Sequence, residues 1–161
     1  MSLSNYEIEQ LCHFYRIPLR GVFYKDQLSS VKYQNGNYIV NLDSSTSNRG
    51  GTHWCLLIIK GKQICWFDSF GANAPLEVQD FIQHRKYGFN NWIIQDYLTS
   101  SLCGFYCVGL LLYIQNQSLD LFESMNDYVN LFVDNTRKND GLLRNFFRHF
   151  KISPLLKSKL F

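Results

Sequence analysis

Four residues of this chain have side chains that could together carry out nucleophilic chemistry at a carbonyl: His53, Asp68, Gln95 and Cys103. The first two lie in the stretch GGTHWCLLIIKGKQICWFDSFG, Gly50 to Gly71, which looks like a β-hairpin with a central glycine. If Lys60 and Gly61 are the two turn residues, Ile59 faces Lys62 and His53 falls opposite Asp68. Directly opposed residues share a face with Cβ atoms about 5 Å apart. A carboxylate at that position can accept an imidazole N–H, fix the ring's tautomer and stabilise its protonated form. A different turn length would slip the register. Taken singly, each residue also has an ordinary reading: a histidine in solvent at a strand start, and an aspartate capping the next turn. The same register puts Cys55 and Cys65 on opposite faces of the hairpin, too far apart in direction for a disulfide.

Cys103 opens SSLCGFYCVGLLLYIQ, a segment apolar on nearly all sides and therefore a buried helix. The unpaired N–H groups of a first helical turn favour a thiolate, and this lowers a cysteine pKa below its free value of about 8.5. Gly104 leaves room for a substrate backbone. Cys107 lies one turn deeper and, like Cys12, Cys55 and Cys65, reads as a small core residue. Gln95 precedes Cys103 by eight residues, at the end of a predicted strand. Its amide can donate to a developing oxyanion together with the main-chain N–H of Cys103.

The elements that must position these groups follow from capping and periodicity. Ser4 and Glu7 form a capping box before a helix over about Asn5 to Tyr15, which Pro18 ends. A loop-rich segment follows, then a strand at Asn37–Leu42, the polar loop DSSTSNRGG, and the hairpin strands Trp54–Ile59 and Lys62–Asp68. Asn73 as N-cap, Pro75 and a terminal Gly88 predict a helix between them, and Asn90–Gln95 a short strand. From Leu119 two more helices are predicted, broken around TRKNDG. The expected class is α+β: a central mixed or antiparallel sheet packed on the buried helix that carries the cysteine.

At 161 residues the chain is expected to be a single domain, 1–161. With 46% hydrophobic and 16% aromatic residues it has the material for a packed core. No apolar run approaches the roughly 20 residues that span a bilayer, and MSLSNYEIEQLC lacks a signal peptide's pattern. Five cysteines without zinc spacing suit a reducing compartment, cytosol or nucleus, with no metal or other cofactor expected. From Arg137 onward seven Lys and Arg face one acid, Asp140, so this basic helical segment (about 137–161) is net positive by six and the preceding residues net negative by three. Arg137, Lys138, Arg144, Arg148 and Lys151 are the candidate contacts for DNA or an acidic peptide, against the plainer reading of a solvated helix face. Phe146, Phe147 and Phe150 are expected to face the core.

The pieces YIVNLDSSTSNRGGTHW, CWFDSFG and IIQDYLTSSLCGFYC, in this order, resemble the adenovirus maturation protease and its relatives in virophages and Maverick/Polinton-type elements. The resemblance covers about Leu3 to Gln115, and GVFYKDQL is similar to the adenoviral N-terminal segment. The order His, acid, Gln, Cys is shared with ubiquitin-like-protein proteases. The resemblance implies a viral cysteine endopeptidase with His53 as general base, Asp68 as its orienter, Cys103 as nucleophile and Gln95 as oxyanion donor. It further implies cleavage of capsid or scaffold precursors near glycine, in the virion or at the intracellular assembly site, by a monomer. Three departures stand out: the acid is aspartate where the adenoviral enzyme has glutamate, the Gln-to-Cys interval is longer, and Tyr87–Gln95 holds no cysteine for a disulfide-linked activating peptide. DNA stimulation stays open through the basic tail. Removal of a ubiquitin-like modifier, acyl transfer from a thioester, and DNA or capsid binding without chemistry are the other readings.

Overall fold

A computed structural model describes residues 2–47 and 53–161 of the chain. Its elements run α1 (Asn5–Phe14), β1 (Gly21–Tyr24), β2 (Gly36–Asn41), β3 (Trp54–Lys60), β4 (Gln63–Phe67), α2 (Leu76–Phe81), β5 (Gly88–Phe89), α3 (Cys103–Gln115), α4 (Leu121–Val129), α5 (Asn139–Phe147) and α6 (Pro154–Lys159). The sheet is mixed, in the order β1-β2-β3-β4-β5, with the outer pairs parallel and the two inner pairs antiparallel. The class is α+β, as expected.

Strand β3 is buried on both faces, which the alternating packing of its residues makes plain. Trp54, Leu56 and Ile58, with Cys65 and Phe67 of β4, pack against α3, α1, α4 and α5. Cys55, Leu57 and Ile59, with Ile64 and Trp66, pack on the other side against Leu28, Val78, Phe81 and Ile82. Helix α3 is buried from Cys103 to Leu112, because neighbours cover it all round, as its unbroken apolar composition requires. Each such Leu or Phe contributes about 1.5–3 kcal/mol by leaving water, and this core is the platform for the helix's first turn.

Several elements stand where the sequence placed them. Ser4 Oγ accepts from the Glu7 N–H and Glu7 Oε1 from the Ser4 N–H, closing the capping box of α1. Cys55 and Cys65 lie on opposite faces, and none of the five cysteines, all among the described residues, is in a disulfide. Phe147 is fully buried, with Phe146 and Phe150 packed against the same core.

Four expectations need correcting. The hairpin turn is Gly61-Lys62, with Lys60 paired to Gln63; Gly61 takes φ 63 at the first central position, where a two-residue hairpin turn wants a residue free to adopt positive φ. The segment after Pro75 makes only the six-residue α2, and Asn73 caps nothing: its Oδ1 accepts from Ala74. Gln83 and His84 then take positive φ, and Gly88 enters β5. Residues 90–95 are not a strand but irregular backbone pinned to Ser69. Beyond α4 the chain forms a short 3-10 turn at Thr136–Lys138 running into α5, and then a separate α6.

The basic tail is put to structural use. Arg144 Nε donates to the Leu160 carbonyl at 2.6 Å, Arg148 lies over the Phe161 ring and Lys151 over Phe14. Lys159 reaches the N-terminal segment, 2.8 Å from Glu7 Oε1. Arg137, Lys138, Arg148 and Lys151 are all exposed, and Arg144 is partly buried. No helix among the described residues is long and apolar enough to cross a membrane.

Candidate active site

His53 sits one residue before β3, its carbonyl accepting from Leu42 N–H at 3.0 Å, so the β2–β3 ladder holds its backbone. Asp68 sits one residue beyond β4. The two-residue slip of the hairpin keeps both on one face, since side chains alternate with period two, and their partners change together. Continuing the observed pairing, Cys55 is across from Asp68 and Phe70 across from His53. The contacts agree: Phe70 stacks on the His53 ring at 4.2 Å, while His53 reaches diagonally to Asp68, Nε2 to Oδ1 at 2.5 Å.

The carboxylate is 1% exposed and firmly held. Asp68 Oδ1 also accepts from Phe70 N–H at 2.8 Å, and the Asp68 carbonyl accepts from Gly71 N–H at 2.7 Å, which closes the DSFG turn. Gly71 has φ 76, and a Cβ there would lie 2.8 Å from the Trp92 main chain, so no larger residue fits this turn without strain. Asn90, buried, reads the other side of the strand end: its Oδ1 accepts from Asp68 N–H at 3.0 Å and its Nδ2 donates to Asp68 O at 2.6 Å.

Cys103 is the first residue of α3 and 5% exposed. Its Sγ accepts the Trp54 main-chain N–H at 3.4 Å, and Cys107 Sγ donates to the Trp54 carbonyl at 3.4 Å. Two cysteines one helical turn apart thus bracket the main chain of a single residue, Trp54, and tie α3 to β3. Burial pulls the His53 pKa down, but hydrogen bonds with Asp68 and with Cys103 outweigh it and lift it from 6.5 to about 9. Since Nε2 is committed to Asp68, the other ring nitrogen, Nδ1, is the one left for the sulfur. Gly104 makes no room for substrate: Leu3 and Ile8 fill the space beside it.

Gln95 is 1% exposed. Its Oε1 accepts from Ser69 Oγ at 2.5 Å and its Nε2 donates to Ser100 O at 3.3 Å. The Ile94 and Gln95 N–H groups both donate to Ser69 O. Holding the oxygen on Ser69 turns the amide nitrogen toward the loop that leads to Cys103, with one of its N–H groups unpaired among the described residues.

His53, Cys55 and Asp68 bring one nitrogen, one sulfur and one oxygen within 4.8 Å of one another. His53 Nε2 and Asp68 Oδ1, at 2.5 Å, are spaced as hydrogen-bond partners, closer than two donors around one zinc ion at about 2.0 Å each. Burial raises the Cys55 thiol far above its ordinary range, and the Asp68 charge adds to this; it stays a neutral thiol beside the carboxylate. Volume gives no lead to the site: hollows of 460 and 450 Å³, lined in part by Glu9 and Arg20 and by Lys25 and Phe81, lie elsewhere.

The sequence led to His53, Asp68 and Cys103, which the fold brings together, and to Gln95, which braces the adjoining loop. It missed Asn90, Phe70, Cys107 and the Trp54 N–H. Only Phe70 carried a signal, as the residue opposite His53 once the turn is shifted to Gly61-Lys62. Gly50 and Gly51, ahead of His53, lie outside the described residues.

A mixed sheet brings a histidine and an aspartate at neighbouring strand ends up to a cysteine at the start of a buried helix. Solved structures share the fold. The ASFV pS273R protease superposes with TM-score 0.58 and 16% identity over 94% of this chain and 68% of its own. Its Se-Met form gives 0.55 and 16% over 94% and 69%. AvrA delL154 with IP6 and CoA gives 0.50 and 19% over 93% and 65%. At these identities the likeness is one of fold. The sequence matches no protein-family model, and no curated protein matches it.

Proposed function

We propose that the chain is a cysteine endopeptidase with His53, Asp68 and Cys103 as its triad. The observation that carries this reading is the His53 ring, hydrogen-bonded to Asp68 at 2.5 Å and to Cys103, and holding its proton to about pH 9. In turnover the ring accepts the Cys103 thiol proton, which gives imidazolium and the attacking thiolate. Asp68 orients the ring through Nε2. The Trp54 N–H and the first turn of α3 stabilise the sulfur's charge. The thiolate attacks a peptide carbonyl, and the oxyanion is met by the remaining Gln95 N–H and the Cys103 main-chain N–H. The imidazolium gives its proton to the leaving amine, and neutral His53 then takes one from the water that cleaves the thioester.

The resemblance to viral maturation proteases and the fold shared with the ASFV enzyme support capsid or scaffold precursors as substrates, cut near glycine, with the enzyme acting at the assembly site or in the particle. Arg137, Lys138, Arg148 and Lys151, exposed, with Arg144 partly so, are the basic-segment residues that would meet DNA or an acidic activator. The test is digestion of a denatured protein extract with cut sites read by mass spectrometry. Wild type cleaves and Cys103→Ala does not; equal cleavage by both would remove Cys103 from the mechanism.

One observation favours a second reading: the AvrA neighbour was solved with CoA. The same thioester can pass to an amine instead of water. Acetylation of a protein lysine from acetyl-CoA, without peptide cleavage, would move the assignment to acyl transfer.

A further inference from the structure

The eight-residue interval from Gln95 to Cys103, longer than in the family the sequence resembles, is built into a braced turn. Asp96 Oδ2 accepts from Thr99 N–H at 3.0 Å and from Thr99 Oγ1 at 2.5 Å, and Oδ1 accepts from Thr136 Oγ1 at 2.9 Å. Ser100 N–H donates to Asp96 O, Ser100 Oγ donates to Asp140 Oδ1 at 2.8 Å, and Ser100 O accepts from Gln95. What this bracing holds out into water is apolar: Tyr97 is 73% and Leu98 80% exposed. Tyr97 is not isolated. The Tyr97 ring lies 5.3 Å from Phe70, which itself stacks on His53. Trp92, half exposed, abuts the same DSFG turn at Gly71. A contiguous apolar surface that runs up to a reactive centre marks a binding surface, and the loop's many hydrogen bonds mean its shape is set before anything binds.

We propose that Phe70, Tyr97 and Leu98 form the subsite that selects a large apolar or aromatic substrate side chain beside the bond being cut. This rests on the endopeptidase reading and adds the substrate's character to it. Phe70 stands one ring's thickness from His53 and Tyr97 one ring beyond. An extended substrate at about 3.3 Å per residue therefore places the selected side chain within about three positions of the scissile bond. The occupant is a polypeptide because the surface is continuous with a site that must hold a peptide bond against Cys103. Such a contact lowers KM and leaves the chemistry to the triad.

The experiment is cleavage profiling on the tryptic peptides of a whole-cell extract, with wild type, Tyr97→Ser, Leu98→Ser, the double variant and Tyr97→Phe. These side chains project from the turn tip, so folding does not depend on them. Wild type is expected to show enrichment of aromatic or large aliphatic residues at one position near the cut. The double variant flattens that position and lowers kcat/KM on the best peptide by roughly tenfold or more, chiefly through KM, while Tyr97→Phe keeps the preference. An unchanged profile and KM in the double variant overturn the subsite and leave the protease reading standing. No cleavage by wild type overturns both. If the substitutions convert a dimer to a monomer in sedimentation and leave the profile intact, the surface is a self-association face and the subsite is refuted.

Discussion

Replacing Asp68 by asparagine removes the charge that His53 leans on while keeping the side chain's size. Burial by itself lowers the His53 pKa, yet the ring holds its proton to about 9 against an ordinary 6.5. At about 1.4 kcal/mol per pH unit, the hydrogen bonds with Asp68 and Cys103 outweigh burial by about 3 kcal/mol in favour of the imidazolium. In Asp68→Asn the carboxylate's share goes and the desolvation cost remains, so the ring loses its proton below neutrality and the sulfur loses its cationic partner. The assay is carboxamidomethylation of Cys103 under limiting iodoacetamide from pH 5 to 9, with the modified cysteine located by mass spectrometry. Wild type reacts readily at and below neutral pH. The variant's rate at pH 6 falls by about two orders of magnitude, and its profile moves toward that of an ordinary thiol near 8.5. Peptide cleavage falls by about 10³–10⁴-fold, as when other triads lose their carboxylate. An unchanged labelling profile in Asp68→Asn would refute the reasoning, because the carboxylate would then not govern the histidine's charge.

Three further outcomes follow from the same contacts. Because the His53 pKa is higher in the folded chain than in the unfolded one, its contribution is fully present below pH 6.5 and is lost as pH rises to about 9; urea titrations across this window show wild type losing stability that Asp68→Asn does not lose. Asn90→Ala leaves the Asp68 main-chain N–H unpaired and strips one donor from its carbonyl, which costs about 2 kcal/mol and lowers Tm by roughly 4–8 °C in a scanning calorimeter. Cys107→Ala takes the thiol donor from the Trp54 carbonyl and loosens the first turn of α3 against β3, slowing Cys103 labelling near neutral pH. Cys107→Ser keeps a donor and retains the wild-type profile, whereas a residue that merely fills space would affect Tm in both variants and the profile in neither.

Local signals carried much of this fold. The α1 capping box, the all-round apolar α3 and the alternation in β2 to β4 are decided by neighbouring residues, and they stand as expected. The hairpin register was not local in that sense: either Lys60 or Lys62 can flank Gly61, and cross-strand packing chose the latter. A slip of two preserved the shared face, which is why His53 and Asp68 still meet. Residues 90–95 looked like a strand, yet their N–H groups go to Ser69 O instead of a ladder, a tertiary choice with no pattern in the sequence. Asn90 and Cys107 were hidden for a similar reason. A buried asparagine in a loop and a core cysteine look ordinary until the main-chain groups they satisfy are visible.

The central claim is that Cys103 carries the acyl group during turnover. During digestion of the best-cleaved peptide from the profiling library, the reaction is quenched in acid and the intact protein weighed, and the adduct is then mapped. The account predicts a thioester-linked N-terminal peptide fragment on Cys103 alone, absent in Cys103→Ala and depleted by hydroxylamine. Steady cleavage with no adduct, or cleavage that persists in Cys103→Ala, would contradict it.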